Sequence, residues 1–144
     1  DSLPSRGLGD VYKRQDSGLE VEALNGEPGI FSARFAGEKG NDNLNNNKLL
    51  DELSLKKNKS AKFVSILSFL HPELKISLFS YGELFGKIIE SPRGKSGFGY
   101  DPIFKIKNSE LTLAEISEDE RMKISHRTIS TLKMINLLKE SKMS

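Results

Sequence analysis

Between residues 61 and 89 the chain runs through AKFVSILSFL (61–70), KISLFSYG (75–82) and LFGKII (84–89), segments rich in β-branched and aromatic residues. Runs of that length predict strands, the first of them buried and ended by His71-Pro72. The short link before Lys75 predicts an antiparallel partner, with the last run as a third strand. Gly82 and Gly86 inside the run predict a bulge or a close approach of another backbone. At 144 residues there is room for one domain with a real core, and two would be cramped.

Other elements are legible around that sheet. Leu19, Val21 and Ala23 alternate with Glu20 and Glu22, the pattern of a short strand, and turns follow at Asn25-Gly26 and Pro28-Gly29. Asp42 is placed to cap a helix that shares Leu44, Lys48, Leu49 and Leu53 on one side. Thr112 with Glu115, and Ser117 with Glu120, have the spacing of capping boxes, in which hydroxyl and carboxylate satisfy reciprocal backbone donors. A last helix is predicted over 126–139, capped by Ser125, with Ile129, Leu132, Ile135 and Leu138 on its apolar face. Residues 1–15, DSLPSRGLGDVYKRQ, carry no helical or strand period. They read as a foreign or misjoined, disordered leader, with the domain proper at 16–144.

Charge narrows the function classes. With 22 basic and 20 acidic residues, a net +2, the chain is too balanced to live on phosphate-backbone contacts. Nucleic acid is therefore not the expected partner. No cysteine is present, so neither a disulfide framework nor a thiolate metal site is available. No apolar run is long enough to cross a bilayer, and a cytoplasmic location without a membrane partner is expected.

Chemistry concentrates in three stretches. In SGFGYDPIF (96–104), Phe98 and Tyr100 stand beside Gly97 and Gly99, with Asp101 next to Pro102. Glycine lets backbone approach a flat ligand, an aromatic face is worth roughly 1–3 kcal/mol per stacked base, and the amides and Asp101 can read a base edge. The alternative is a strand entry in which Phe98, Ile103 and Phe104 are core. Asp16-Ser17-Gly18 can hold Mg²⁺ through oxygen and orient a water at phosphorus, or can simply be an Asx-turn. At Ile124-Ser125-His126-Arg127, unpaired helix N–H groups plus the donors of His126 and Arg127 can meet a base carbonyl or phosphate, unless both side chains are merely solvated.

Taken in order, DSGLEV, PGIFSARFAG, KLL, GFGYDPIF, Thr-x-x-Glu and ISHR make the chain from Asp16 onward resemble the inosine/xanthosine triphosphate pyrophosphatase family. The resemblance implies Mg²⁺-dependent hydrolysis of deaminated purine nucleoside triphosphates (ITP, dITP, XTP) to monophosphate and pyrophosphate. It implies an α/β fold with an elongated mixed sheet, flanking helices and two lobes, and a homodimer in the full-length form. By motif position, Asp16 matches the catalytic, metal-associated aspartate and Ser17 a substrate contact. Phe98, Gly99, Tyr100 and Asp101 match the purine loop, and His126 with Arg127 the pair near the base 6-position. A 6-carbonyl suits a donor such as Arg127, where adenine presents an amino group. Base, guanidinium and the carboxylate at position 16 are then expected around one cleft.

Three departures qualify the match. Gln15 stands where the family has a second aspartate, and Arg121, carried over as a candidate substrate contact at the phosphates, stands where it has a lysine and keeps the charge but not the compact ammonium. The family's Thr-Gly-Asn phosphate grip and metal-associated glutamate do not occur in residues 1–15, so the chain reads as N-terminally truncated. A purine-nucleotide-binding module without catalysis is the rival reading. An RNA-binding domain stacking bases on Phe98 and Tyr100 is the more distant one, and the lack of a basic stripe argues against it.

Overall fold

The computed structural model describes residues 11–37 and 40–141. Five strands form one sheet in the order β2-β1-β3-β4-β5: β1 (Tyr12–Val21), β2 (Pro28–Gly29), β3 (Ser60–His71), β4 (Ile76–Ile88) and β5 (Phe104–Ile106). Three helices accompany them: α1 (Asp42–Leu53), α2 (Glu118–Ile124) and α3 (His126–Glu140). The α/β class holds, and every pairing among the described strands is antiparallel.

The two expected strands at 75–82 and 84–89 are one. β4 pairs β3 without interruption from His71↔Ile76 to Ser60↔Lys87. Its glycines mark close approaches rather than a break. A Cβ on Gly82 would overlap the His126 carbonyl oxygen, and one on Gly86 would overlap the Lys105 carbonyl oxygen and the Phe104 ring.

β1 begins at Tyr12, seven residues before the alternation that starts at Leu19. Tyr12, Lys13, Arg14 and Gln15 pair with Leu70, Phe69, Ser68 and Leu67. Lys13 and Arg14 are exposed and Tyr12 and Gln15 half-buried, so the backbone ladder does most of the holding and leaves no hydrophobic period to read. Residues 12–15, assigned above to the leader, therefore belong to β1, and residues 1–10 lie outside the described residues.

α3 lies across one sheet face, and its buried side differs from the expected one. Ser130 and Met134 are buried, whereas Leu132 is 57% exposed and Ile135 41%. The cause is the close approach at Gly82. Only a small side chain fits there, and Ser130 Oγ donates to Ser65 Oγ at 3.0 Å while Ser80 Oγ donates to the Ser130 carbonyl at 2.7 Å. The face is thus defined by three serines and a glycine, which a hydrophobic count passes over.

α1 is likewise rotated. Asn41, not Asp42, caps it, its side chain accepting from the Leu44 amide at 3.1 Å. Asn45, Asn46, Leu49 and Leu53 are its buried residues, and Leu44 is exposed. Leu49 and Leu53 join Leu19, Val21, Ala61, Ile103, Phe104 and Leu113 in the main core, on the same side of the sheet as α3. Both capping boxes form, Thr112 with Glu115 and Ser117 with Glu120.

Candidate active site

The segment 96–104 is a loop followed by a 3-10 turn at Asp101–Ile103. Its two aromatic rings do different things. Phe98 is 73% exposed, a bare ring available for stacking. Tyr100 is only 5% exposed, and its hydroxyl donates to the Ser32 carbonyl at 2.6 Å. Burial raises the phenol well above its usual range, with the Asp42 carboxylate adding to the shift. The expected pair of stacking rings is therefore one platform, Phe98, and one anchor, Tyr100.

Asp101 is turned inward. Its Oδ2 accepts from the Phe98 amide at 3.1 Å and sits where a Cβ on Gly97 would be, which accounts for glycine at that position, with φ of 80°. Burial pushes its carboxyl above the ordinary carboxylate range, and the Phe98 N–H and the Arg121 guanidinium act against that shift. The carboxylate shapes the loop from within.

Arg121 closes the loop's other end. Its Nη1 donates to Ser96 Oγ at 2.6 Å and to the carbonyls of Ile116 at 2.8 Å and Leu113 at 3.2 Å. The three acceptors converge on one guanidinium nitrogen, whose charge strengthens each bond and ties Ser96 of the loop to the segment before α2.

Ser125 caps α3, accepting from the Arg127 amide at 3.0 Å. The next two side chains diverge. Arg127 Nη2 donates to Ser17 Oγ at 2.9 Å, joining motifs 110 residues apart. His126 instead lies flat on Phe63, with ring centroids 5.1 Å apart and planes at 17°. Burial, with Arg127 beside it, lowers the imidazole to about pKa 4, so it is neutral at pH 7. Its Nδ1 is buried without a hydrogen-bond partner.

Phe63 also packs on Phe104 at 4.7 Å, which ties the start of α3 to the end of the 98–101 loop. Ser17, Arg127, His126 and that loop therefore share the α3 side of the sheet. Asp16 does not. Strand alternation sends its side chain to the opposite face from Gln15 and Ser17, where it is half exposed with Arg14 Nε at 3.8 Å. Gln15, in the place of the expected aspartate, donates to Ser65 Oγ at 3.3 Å. Beyond Leu19 toward Tyr12, no described strand pairs with the outer edge of β1. A ligand reaching both Arg127 and Asp16 has to pass that edge, and the single cleft expected from the motifs is not formed by the described residues. A groove of about 980 Å³ lies elsewhere, between the ends of β1, β3, β4 and β5, and none of the candidate residues lines it.

Two residues important to this site carried no motif. Asp42 and Asn46 of α1 both bond to Gly99, and the signal that could have found them is their i, i+4 spacing within an asparagine-rich helix. Among the described residues no group of three or more His, Cys, Asp or Glu is arranged to hold a metal ion. No helix among them is long and apolar enough to cross a membrane.

An exposed aromatic in a glycine-rich, internally tied loop thus lies on the same side of an α/β fold as a helix-opening arginine. The chain belongs to the Ham1 family, whose model matches residues 11–137. It is 48% identical over 124 residues to the dITP/XTP pyrophosphatase of Flavobacterium psychrophilum, covering 86% of this chain and 64% of that protein. It is 42% identical over 123 residues to the dITP/XTP pyrophosphatase of Staphylococcus aureus, covering 85% and 63%. The solved structure of the Staphylococcus aureus Ham1 protein superposes with a TM-score of 0.87 at 39% identity, over 93% of this chain and 69% of that one. The chain thus spans just under two thirds of the length of those two pyrophosphatases.

Proposed function

We propose that this chain carries the base-recognition part of a nucleoside triphosphate pyrophosphatase acting on ITP, dITP and XTP, releasing monophosphate and pyrophosphate in the cytoplasm. The observation that carries the reading is the Arg127 to Ser17 hydrogen bond at 2.9 Å, which sets the base-reading arginine one residue from Asp16. Phe98 stacks the purine, Arg127 donates to its 6-carbonyl, and Ser17 contacts the phosphates. Arg121 and Asp101 hold the loop. Asp16 orients the water that attacks the α-phosphorus and accepts its proton.

Mg²⁺ suits this donor set, because it is commonly bound by one or two carboxylates together with substrate phosphates, and Asp16 is the carboxylate that would hold it. When bound, the ion supplies charge neutralisation at the phosphate oxygens. A homodimer belongs to the same proposal, and the exposed Ile66, Leu70, Phe79, Tyr81 and Phe85 side chains of β3 and β4 support it.

The second reading, a purine-nucleotide-binding piece without catalysis, is favoured by the placement of Asp16 on the face away from Ser17. Pyrophosphate release from ITP, XTP, ATP and GTP, with and without Mg²⁺, separates the two. Turnover of ITP that requires Mg²⁺ and disappears in Asp16→Asn is the expected result. ITP binding with no turnover by the parent chain would leave only the second reading.

A further inference from the structure

One residue of the 98–101 loop has both its backbone N–H and its carbonyl held by a single helix. The Gly99 N–H donates to Asp42 Oδ2 at 2.8 Å, and the Gly99 carbonyl accepts from Asn46 Nδ2 at 3.2 Å. Asp42 and Asn46 are four residues apart, so α1 presents both on one side. Gly99 itself has φ of 62°. No Cβ-sized neighbour crowds it, so the left-handed conformation, not the space, is what the grip maintains. The residue immediately before it is Phe98, the exposed ring.

Asn46 is 7% exposed, and its Oδ1 is buried with no hydrogen-bond partner. An unpaired buried polar atom costs about 1–3 kcal/mol. Leu49 and Leu53 of the same helix fill the core with aliphatic side chains, and nothing about packing calls for an amide at position 46. What the amide supplies is the Nδ2 donor to Gly99.

We propose that Asp42 and Asn46 are positioning residues for purine recognition: by clamping the two peptide groups that flank the Gly99 Cα, they fix the orientation in which Phe98 meets the base. This rests on the reading of Phe98 as the stacking platform. Loss of the clamp leaves the ring present but mobile, so the base binds less well while the reacting phosphates, held elsewhere, are processed as before once bound.

The test is ITP binding at equilibrium together with KM and kcat for Asp42→Ala, Asn46→Ala, Asp42→Asn and Phe98→Ala. Asp42→Ala and Asn46→Ala are each expected to weaken ITP binding and raise KM roughly tenfold, with kcat within about twofold. Asp42→Asn keeps an acceptor oxygen for the Gly99 N–H and is expected to stay near the parent. In a Phe98→Ala background, Asn46→Ala should add little, because both act through one ring. Asp42 is at the exposed start of α1, so its alanine variant retains the fold even where Asn46→Ala does not. Unchanged binding in Asp42→Ala, or full additivity with Phe98→Ala, overturns the proposal while leaving the functional reading intact. A parent chain that binds no ITP overturns both.

Discussion

His126 shows how far one buried imidazole departs from an ordinary helix-opening histidine. Stacked on Phe63 and desolvated, it titrates at about 4 instead of 6.5. The unfolded chain then binds a proton between those pH values that the folded chain does not. Stability is complete above about pH 6.5 and falls as the pH drops toward 4, by up to about 3 kcal/mol. Urea unfolding at pH 7 and at pH 4.5 measures the loss, and His126→Phe, which keeps a flat ring on Phe63, should remove most of the slope. A second prediction at this scale concerns Gly82. A methyl there overlaps backbone atoms of His126 and Ser130, neither of which can rotate aside. Gly82→Ala is expected to cost about 1–3 kcal/mol or more by overpacking, read as a lower urea midpoint with unchanged slope.

Elements were legible in the sequence where their signals are local. The capping boxes at Thr112 and Ser117 were, because donor, acceptor and spacing lie within four residues. Thr112 is fully buried and its Oγ1 donates to the Arg93 carbonyl at 2.8 Å. Thr112→Val keeps the volume and strands that carbonyl, so a loss of about 1–3 kcal/mol in thermal or urea unfolding is expected. β3 was legible from its composition, and β4 was split only because its glycines look like breaks. The faces of α1 and α3 were not legible. They are set by partners far along the chain, Gly99 for Asn46 and Ser65 for Ser130, and no local period encodes such partners. The same reason explains the site: the Phe98 loop and Arg127 could be picked out as motifs, while the inward turn of Tyr100 and Asp101 depends on Ser32 and on the loop's own amide.

At the scale of the molecule, the proposed function would divide base recognition and bond cleavage between the two faces of the sheet. Phe98, Arg127 and their supports lie on the α3 side, and Asp16 emerges on the other, one residue from Ser17. If purine binding draws on the first set alone, it should survive loss of the second. A ligand that binds only the folded state stabilises it by RT ln(1 + [L]/Kd), about 2.7 kcal/mol at one hundred times Kd. ITP at that concentration should therefore raise the melting temperature of the parent chain and of Asp16→Asn equally, although the variant releases no pyrophosphate. ATP, with an amino group facing Arg127, should shift either much less at the same concentration. In Arg127→Ala the difference between ITP and ATP should collapse, because the donor that distinguishes a 6-carbonyl from a 6-amino group is gone. Equal shifts with ITP and ATP in the parent chain would remove Arg127 from base selection, and loss of the ITP shift in Asp16→Asn would mean that the two faces act as one site.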